Sequence, residues 1–493
     1  MKSLKLNALA AIMVRILNIV FPLITGPYIA RTLSKENIGY FDSANILVQL
    51  LVPLATLGVY NYGIRNISKV KNDKSHINQL FSELFYVSSI ATFLMSSFYL
   101  IYINFFSNID YTSLLYTYYI LGFQLFCQFL SIEWLNEAFE NYSFILYKTI
   151  IVRITMFSLT FIMIRNPDDL LAYAFVMTLA EVLNLLLSFI WIKRDVKLVK
   201  VPFSRLKKLF YILLPMLILA NISILFSTLD RLFLSKAESS IYIADYVMAQ
   251  NIVMIITGII TGAISVNIPR LSYYLGENNN IEYEKLLYKG AQVFLFFTVP
   301  LTMGIFILSD DIALIYGGEK FLSAGIVIAI FSLRSIMLAL YNILGVHIIF
   351  IKGYEKYITI FVSIAGLLNL LLKIFLYKSS IFSAEYYIGT TFISESLVLI
   401  FYIIFIKRKK LANIKPIFHN LYKYLLISIS FILISFLIDQ LIVVDINLSL
   451  KYILNVSSKI LLSSLTYFLS LYFIRDSIIK EILKTIKNKL KRS

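Results

Sequence analysis

One cysteine, Cys127, stands in 493 residues, with three histidines and two tryptophans. A lone thiol excludes an intrachain disulfide and a cysteine-based metal cluster. His76, His347 and His419 are scattered and share no ligand spacing, so no metal site is expected. No glycine-rich loop of the phosphate-cradling kind occurs, which argues against ATP drive within the chain. No Ser-His-Asp set or catalytic carboxylate pair stands out, and neither an enzyme nor a bound cofactor is expected. Glu133 and Glu137, at i and i+4, have the spacing of a metal pair. They sit near a helix end, where a wet inner rim is the simpler reading. Charged residues make up 15% of the chain, against roughly 25% in an average soluble domain.

What fills the space is apolar. Hydrophobic residues are 59% of the total and the mean hydropathy is +0.81. The excess falls in separate long runs, the pattern of an all-α polytopic membrane protein. A transmembrane barrel would alternate at period two, and these runs do not. Fourteen spans are expected, at 7–30, 38–60, 80–106, 113–138, 142–164, 170–192, 207–233, 241–268, 287–309, 323–345, 355–377, 384–406, 419–439 and 451–474. Residues 1–5 are basic, but the first run is long and others follow, so no cleaved leader is expected.

The basic residues set the orientation. With the N-terminus in the cytoplasm, the inner segments hold 30 of the 45 Lys and Arg and the outer segments 7. That bias predicts both termini inside. It also explains the net charge of +17 as a topology signal, and no nucleic-acid partner is expected.

The basic stretch KRDVKLVKVPFSRLKK at 193–208 divides spans one to six from spans seven to twelve. The reading is an N-lobe at 1–200, a C-lobe at 201–410, and two further spans with a basic tail at 411–493. The lobes look repeated. LSKEN at 33–37 returns as LSKAE at 234–238, each shortly after an arginine, Arg31 or Arg231. Tyr40 and Asn45 match Tyr246 and Asn251, and Glu181 and Glu395 fall at equal depth in the sixth and twelfth spans. Two pseudo-symmetric six-helix lobes around a central cavity, plus two C-terminal helices, is the fold this predicts.

Arg15, Arg153, Arg334, Glu181 and Glu395 fall mid-span. A charge in hydrocarbon costs several kcal/mol unless it faces water or a partner. The arginines therefore either line a cavity or sit in buried ion pairs. The two glutamates either neutralise them permanently or exchange H+ or Na+ during transport. Arg31 and Arg65 close the first two helices at opposite faces, and Asp42 starts the second. Asp230 and Arg231 are adjacent, so one is expected toward the cavity and the other toward the interface. Lys148 and Lys373 lie nearer the inner and outer faces, where snorkelling is the simple expectation. Three deep arginines with two acids leave the cavity net positive. Arginine binds phosphate through a two-pronged fork, so an anionic cargo such as a pyrophosphate matches. Asn18, Asn45, Gln49, Asn184, Asn221 and Asn369 supply polar groups at similar depth, for cargo or for helix contacts.

GPYIARTL at 26–33, ENIGYFDSA at 36–44 and YGIRNISK at 62–69 resemble the opening of bacterial polysaccharide-repeat-unit flippases, the Wzx proteins. STLDRLFLS at 227–235 and NIPRLS at 267–272 resemble their second-lobe counterparts. That family sits with the MATE exporters and lipid II flippases in one multidrug/oligosaccharidyl-lipid/polysaccharide exporter superfamily. The family's second lobe usually has Gly-x-Tyr, whereas Ala244-Asp245-Tyr246 stands here. The resemblance implies a transporter in the bacterial inner membrane. It would move an undecaprenyl-pyrophosphate-linked oligosaccharide, an O-antigen or capsule unit, to the outer leaflet. It implies Arg15, Arg153 and Arg334 as cavity charges, with Arg31, Arg65 and Arg231 as further basic candidates and Asp42, Glu181, Asp230 and Glu395 as charge or coupling partners. Membrane lipids, a polysaccharide polymerase and a chain-length regulator are the partners it implies. A MATE-type exporter of small molecules is the first alternative, disfavoured by the arginines. A polysaccharide polymerase or ligase is the second, disfavoured by the lack of a large outer loop.

Overall fold

In hydrocarbon every backbone N–H and C=O needs a partner inside the protein, and winding each apolar run into a helix meets that demand. The computed structural model describes residues 4–67, 70, 73–105, 111–220, 224, 226–264, 267–442 and 449–490, and every regular element among them is helical. The chain packs as two units, Met1–Ala244 and Asp245–Ser493. The first contains α1 (Leu4–Thr32), α2 (Lys35–Thr56), α3 (Val59–Ile67), α4 (Lys74–Phe105), α5 (Thr112–Phe126), α6 (Glu133–Ala138), α7 (Tyr142–Met163), α8 (Leu170–Ile192), α9 (Phe203–Ala220) and α10 (Ser227–Leu234). From its end runs α11 (Ile241–Ile264), most of which belongs to the second unit. That unit adds α12 (Ile268–Gly276), α13 (Asn280–Ile307), α14 (Ser309–Gly317), α15 (Ala324–Tyr341), α16 (Glu355–Lys378), α17 (Ala384–Lys409), α18 (Lys415–Leu441), α19 (Leu450–Phe473) and α20 (Ser477–Leu490).

Thirteen stretches among the described residues are long and apolar enough to cross a bilayer, each on one of the expected runs. The remaining run, 207–233, folds as α9 and α10, with residues 221–223 and 225 outside the described ones. The protein is a multi-pass membrane protein. Its long helices keep rows of Leu, Ile and Phe exposed, such as Leu94, Phe98 and Ile101 on α4, which suits a lipid-facing surface.

Two of the spans in the first unit are broken. Pro53 is followed by Leu57 and Gly58 at φ 51° and 68°, and this left-handed pair ends α2 and starts α3. The fourth span passes from α5 through a tight 3₁₀ turn, Cys127–Leu130, to the short α6. The two half-helices, α3 and α6, pack together. At Gly63 a Cβ would lie 2.3 Å from the Trp134 ring, so glycine is what permits this approach. The two copies of the repeated motif also meet within this unit. Ser240 Oγ donates to the Glu36 carbonyl at 2.9 Å, and a Cβ on Gly39 would fall 1.9 Å from the Ser240 carbonyl oxygen.

The basic segment after α8 is pinned to α4. The Lys197 amide donates to Asn78 Oδ1 and the Val199 amide to Ser82 Oγ, both at 2.8 Å. The two added spans, α18 and α19, pack on α13, where Tyr467 donates to the Phe296 carbonyl at 2.8 Å. A cavity of about 490 Å³ lies in the second unit, lined mostly by apolar residues such as Phe297, Leu308 and Phe468.

Candidate functional site

The first unit gathers polar groups where α1 packs on α7 and where α7 and α8 meet the broken fourth span. Arg153, half-buried on α7, donates to Asn18 Oδ1 on α1 through Nε at 3.3 Å and Nη2 at 2.9 Å. Glu181 on α8 hydrogen-bonds Gln128 and feels the charges of both Lys148 and Arg153. Arg15 lies three residues before Asn18, on the same helical face. It is exposed and makes no hydrogen bond or ion pair among the described residues. It stands six residues after Leu9, where the apolar stretch of α1 begins, or about 9 Å along the axis.

Lys148 departs from expectation. It does not snorkel: it is 3% exposed and donates to Glu133 Oε1 at 2.7 Å and Ser188 Oγ at 2.8 Å. Ser188 also donates to Glu133 Oε2. The break before α6 is what swings Glu133 inward, so this carboxylate is an ion-pair partner and not a wet rim. Glu137 accepts from Tyr60 at 2.7 Å. The charge balance of the first unit changes accordingly, because Glu133 supplies an acid that the count of two glutamates had left out.

A second cluster joins α2 and α10. Arg231 donates to Gln49 Oε1 at 2.9 Å, and its charge also acts on the buried Asp42. Asp230 and Arg231 are both buried, so neither reaches the interface as expected of one of them. Arg31 and Arg65 are exposed near the ends of α1 and α3.

In the second unit Arg334 on α15 and Glu395 on α17 form a two-pronged pair, Nε to Oε2 and Nη2 to Oε1, each at 2.7 Å. Both residues are buried, and the Phe331 ring covers the guanidinium at 5.8 Å. Of the two alternatives for Arg334, the ion pair is the one realised, and its fork is filled by protein. Asp245, the departure from the family pattern, accepts from Ser323 at 2.8 Å. Lys373 does not snorkel either; it is fully buried against α17. Asn18, Gln49 and Asn369 each hold a basic side chain, while Asn221 lies outside the described residues. Among the described residues no group of His, Cys, Asp and Glu has the arrangement of a metal site.

Comparison with known proteins bears on the family and the fold. A family model described as polysaccharide biosynthesis protein matches residues 4–275, more than half of the chain. A Shigella dysenteriae protein named "Putative O-antigen transporter" is 24% identical over 374 residues, which cover 75% of this chain and 91% of that one. Among solved structures, the lipid II flippase MurJ in an inward closed conformation matches with a TM-score of 0.68 at 17% identity, over 96% of this chain and 99% of that one. An inward-facing multidrug resistance MATE family transporter of the MOP superfamily matches with a TM-score of 0.53 at 12% identity, over 80% of this chain and all of that one. At such identities the two structures speak for the fold alone, which is the all-helical polytopic fold of that superfamily.

Proposed function

Since the chain belongs to the polysaccharide biosynthesis protein family, we propose that it flips an undecaprenyl-pyrophosphate-linked oligosaccharide from the cytoplasmic to the outer leaflet. It is a transporter, and no bond is made or broken. The observation that carries the cargo assignment is Arg15, an exposed guanidinium inside an apolar helix with no protein partner among the described residues. A cation in that position needs water or an anion. Arg153 lies close by and is held by Asn18. The fork of Arg15, with the fixed charge of Arg153 on the neighbouring helix, suits a pyrophosphate, which carries several acceptor oxygens.

In this reading the polar head binds at Arg15 and Arg153 while the lipid tail stays in the bilayer. Alternating access then presents the two arginines first to the cytoplasmic side and then to the outer side. The working parts are 1–200, 201–410 and 411–493, both termini are cytoplasmic, and the membrane is the bacterial inner membrane. Glu181 is the candidate for H+ or Na+ coupling, because Glu395 is committed to Arg334. A polysaccharide polymerase and a chain-length regulator would act on the delivered unit. The alternative, a small-molecule exporter of the MATE type, wants acidic or aromatic contacts where Arg15 stands.

The test is complementation of a strain lacking its own repeat-unit flippase. The wild-type chain is expected to restore surface polysaccharide and to clear the lipid-linked precursor that accumulates inside. Normal membrane abundance with no polysaccharide, across strains making several repeat units, would remove the assignment.

A further inference from the structure

In the first unit α9 packs on α4, and a cavity of about 240 Å³ opens between them. Each helix supplies a stripe of residues at helical spacing. On α4 the stripe is Val87, Ile90, Ala91 and Leu94. On α9 it is Phe203, Lys207, Phe210 and Tyr211. Leu57, at the break in the second span, and Leu206 close the bottom with Val87 and Ala91, and all four are buried. Ile90, Leu94, Phe203 and Tyr211 are exposed, so the groove opens along its rim onto the lipid-facing surface. Among the described residues Lys207 is the one charged group of the lining. It is exposed and has no hydrogen bond or ion pair there. The end that holds Lys207 is the polar end. Arg205 pairs with Glu83 on α4 at 3.4 Å, and the Lys197 and Val199 amides fasten the preceding segment to the same helix. From Glu83 to Leu94, α4 rises about 16 Å, close to half of a hydrocarbon core of ~30 Å. The groove is therefore one leaflet deep. Residues 193–208 carry seven Lys and Arg against the single acid Asp195.

We propose that this groove holds one acyl chain of an anionic phospholipid, with the lipid phosphate at Lys207. An acyl chain is apolar and spans one leaflet, which matches the walls and the depth. The ammonium at the mouth selects a negative headgroup, and the basic segment beside it adds to the attraction. A zwitterionic lipid fits the walls equally well, but it brings a cation of its own to Lys207. The bound chain fills the space between α4 and α9. The site does not involve Arg15 or Arg153 and does not depend on the nature of the cargo.

The experiment uses the full-length protein in nanodiscs. Each preparation carries a trace of phospholipid with a diazirine in its acyl chain, either phosphatidylglycerol or phosphatidylcholine. After irradiation, adducts are mapped by peptide mass spectrometry and normalised to those on the exposed side of α5, around Phe123. Phosphatidylglycerol is expected to label the α4 and α9 stripes about fivefold more than phosphatidylcholine, the size of one lysine's attraction to an anionic surface. Lys207→Glu is expected to abolish that preference and Lys207→Arg to keep it. Leu94→Trp fills the groove, so labelling by both lipids is expected to fall. If Lys207→Glu is not monodisperse, Lys207→Gln is read in its place with the same two outcomes. Equal labelling of the wild type by the two lipids would overturn the proposal. So would a preference that survives the loss of the Lys207 charge, or undiminished labelling of Leu94→Trp. Displacement of the adduct by equimolar undecaprenyl phosphate would overturn it too, by assigning the groove to a polyprenyl chain.

Discussion

Arg15→Gln, at wild-type abundance in a flippase-null strain, is expected to leave surface polysaccharide at background. Arg15 is exposed on α1 and unpaired among the described residues, so its removal leaves no buried carboxylate unpaired and costs little stability. What it removes is a fixed positive charge at the place where a pyrophosphate would bind. Hydrogen bonds to charged groups contribute about 1.5–3 kcal/mol each, so losing a two-pronged contact lowers cargo affinity by more than tenfold. Arg15→Lys keeps the charge and loses the fork, and partial activity is expected. Full surface polysaccharide with Arg15→Gln, at equal abundance, would sink the anion-binding role.

Arg334→Ala should fail in a different way. Its partner Glu395 is buried and held at 2.7 Å by both prongs. Breaking a buried pair by removing one partner costs about 3–5 kcal/mol, because the remaining charge is left uncompensated. That is roughly two to three and a half powers of ten in the folded fraction, so membrane abundance itself should collapse. Glu395→Gln should do nearly the same. The double variant Arg334→Met with Glu395→Leu removes both charges and is expected to recover most of the abundance, since an apolar replacement of a buried pair is often close to neutral. Normal abundance of Arg334→Ala, with transport lost, would instead return Arg334 to the cargo site. Immunoblots of membrane fractions beside the polysaccharide assay separate the two outcomes.

The contrast between these two arginines shows how far sequence reading reaches. Span positions were legible because they depend on composition along the chain alone. The thirteen runs fell where hydropathy placed them. Partners were less legible, because they depend on which helices pack and on how each is rotated. Glu181 and Glu395 occupy equal depths in the repeat, yet Glu395 is locked to Arg334 while Glu181 faces Gln128 and two separate cations. The break at Ser131 carries no proline or glycine to announce it, so the inward turn of Glu133 toward Lys148 could not be read from the sequence. The break after Leu57 did carry a signal in Pro53 and Gly58. Both lysines looked long enough to snorkel. Their burial follows from oxygens 15 to 40 residues away on one and one turn or 17 to 18 residues away on the other, which only the packed helices bring together.

The most direct test is reconstitution. Purified protein is placed in liposomes that carry a fluorescent undecaprenyl-pyrophosphate oligosaccharide in both leaflets. A membrane-impermeant glycosidase then trims whatever reaches the outer surface. Protein-free liposomes should stop near half of the lipid. With the wild-type chain the trimmed fraction is expected to approach completion, and with Arg15→Gln it should stay near the protein-free level. A wild-type protein that leaves the fraction at half, under an imposed H+ or Na+ gradient of either sign, would contradict the flippase assignment.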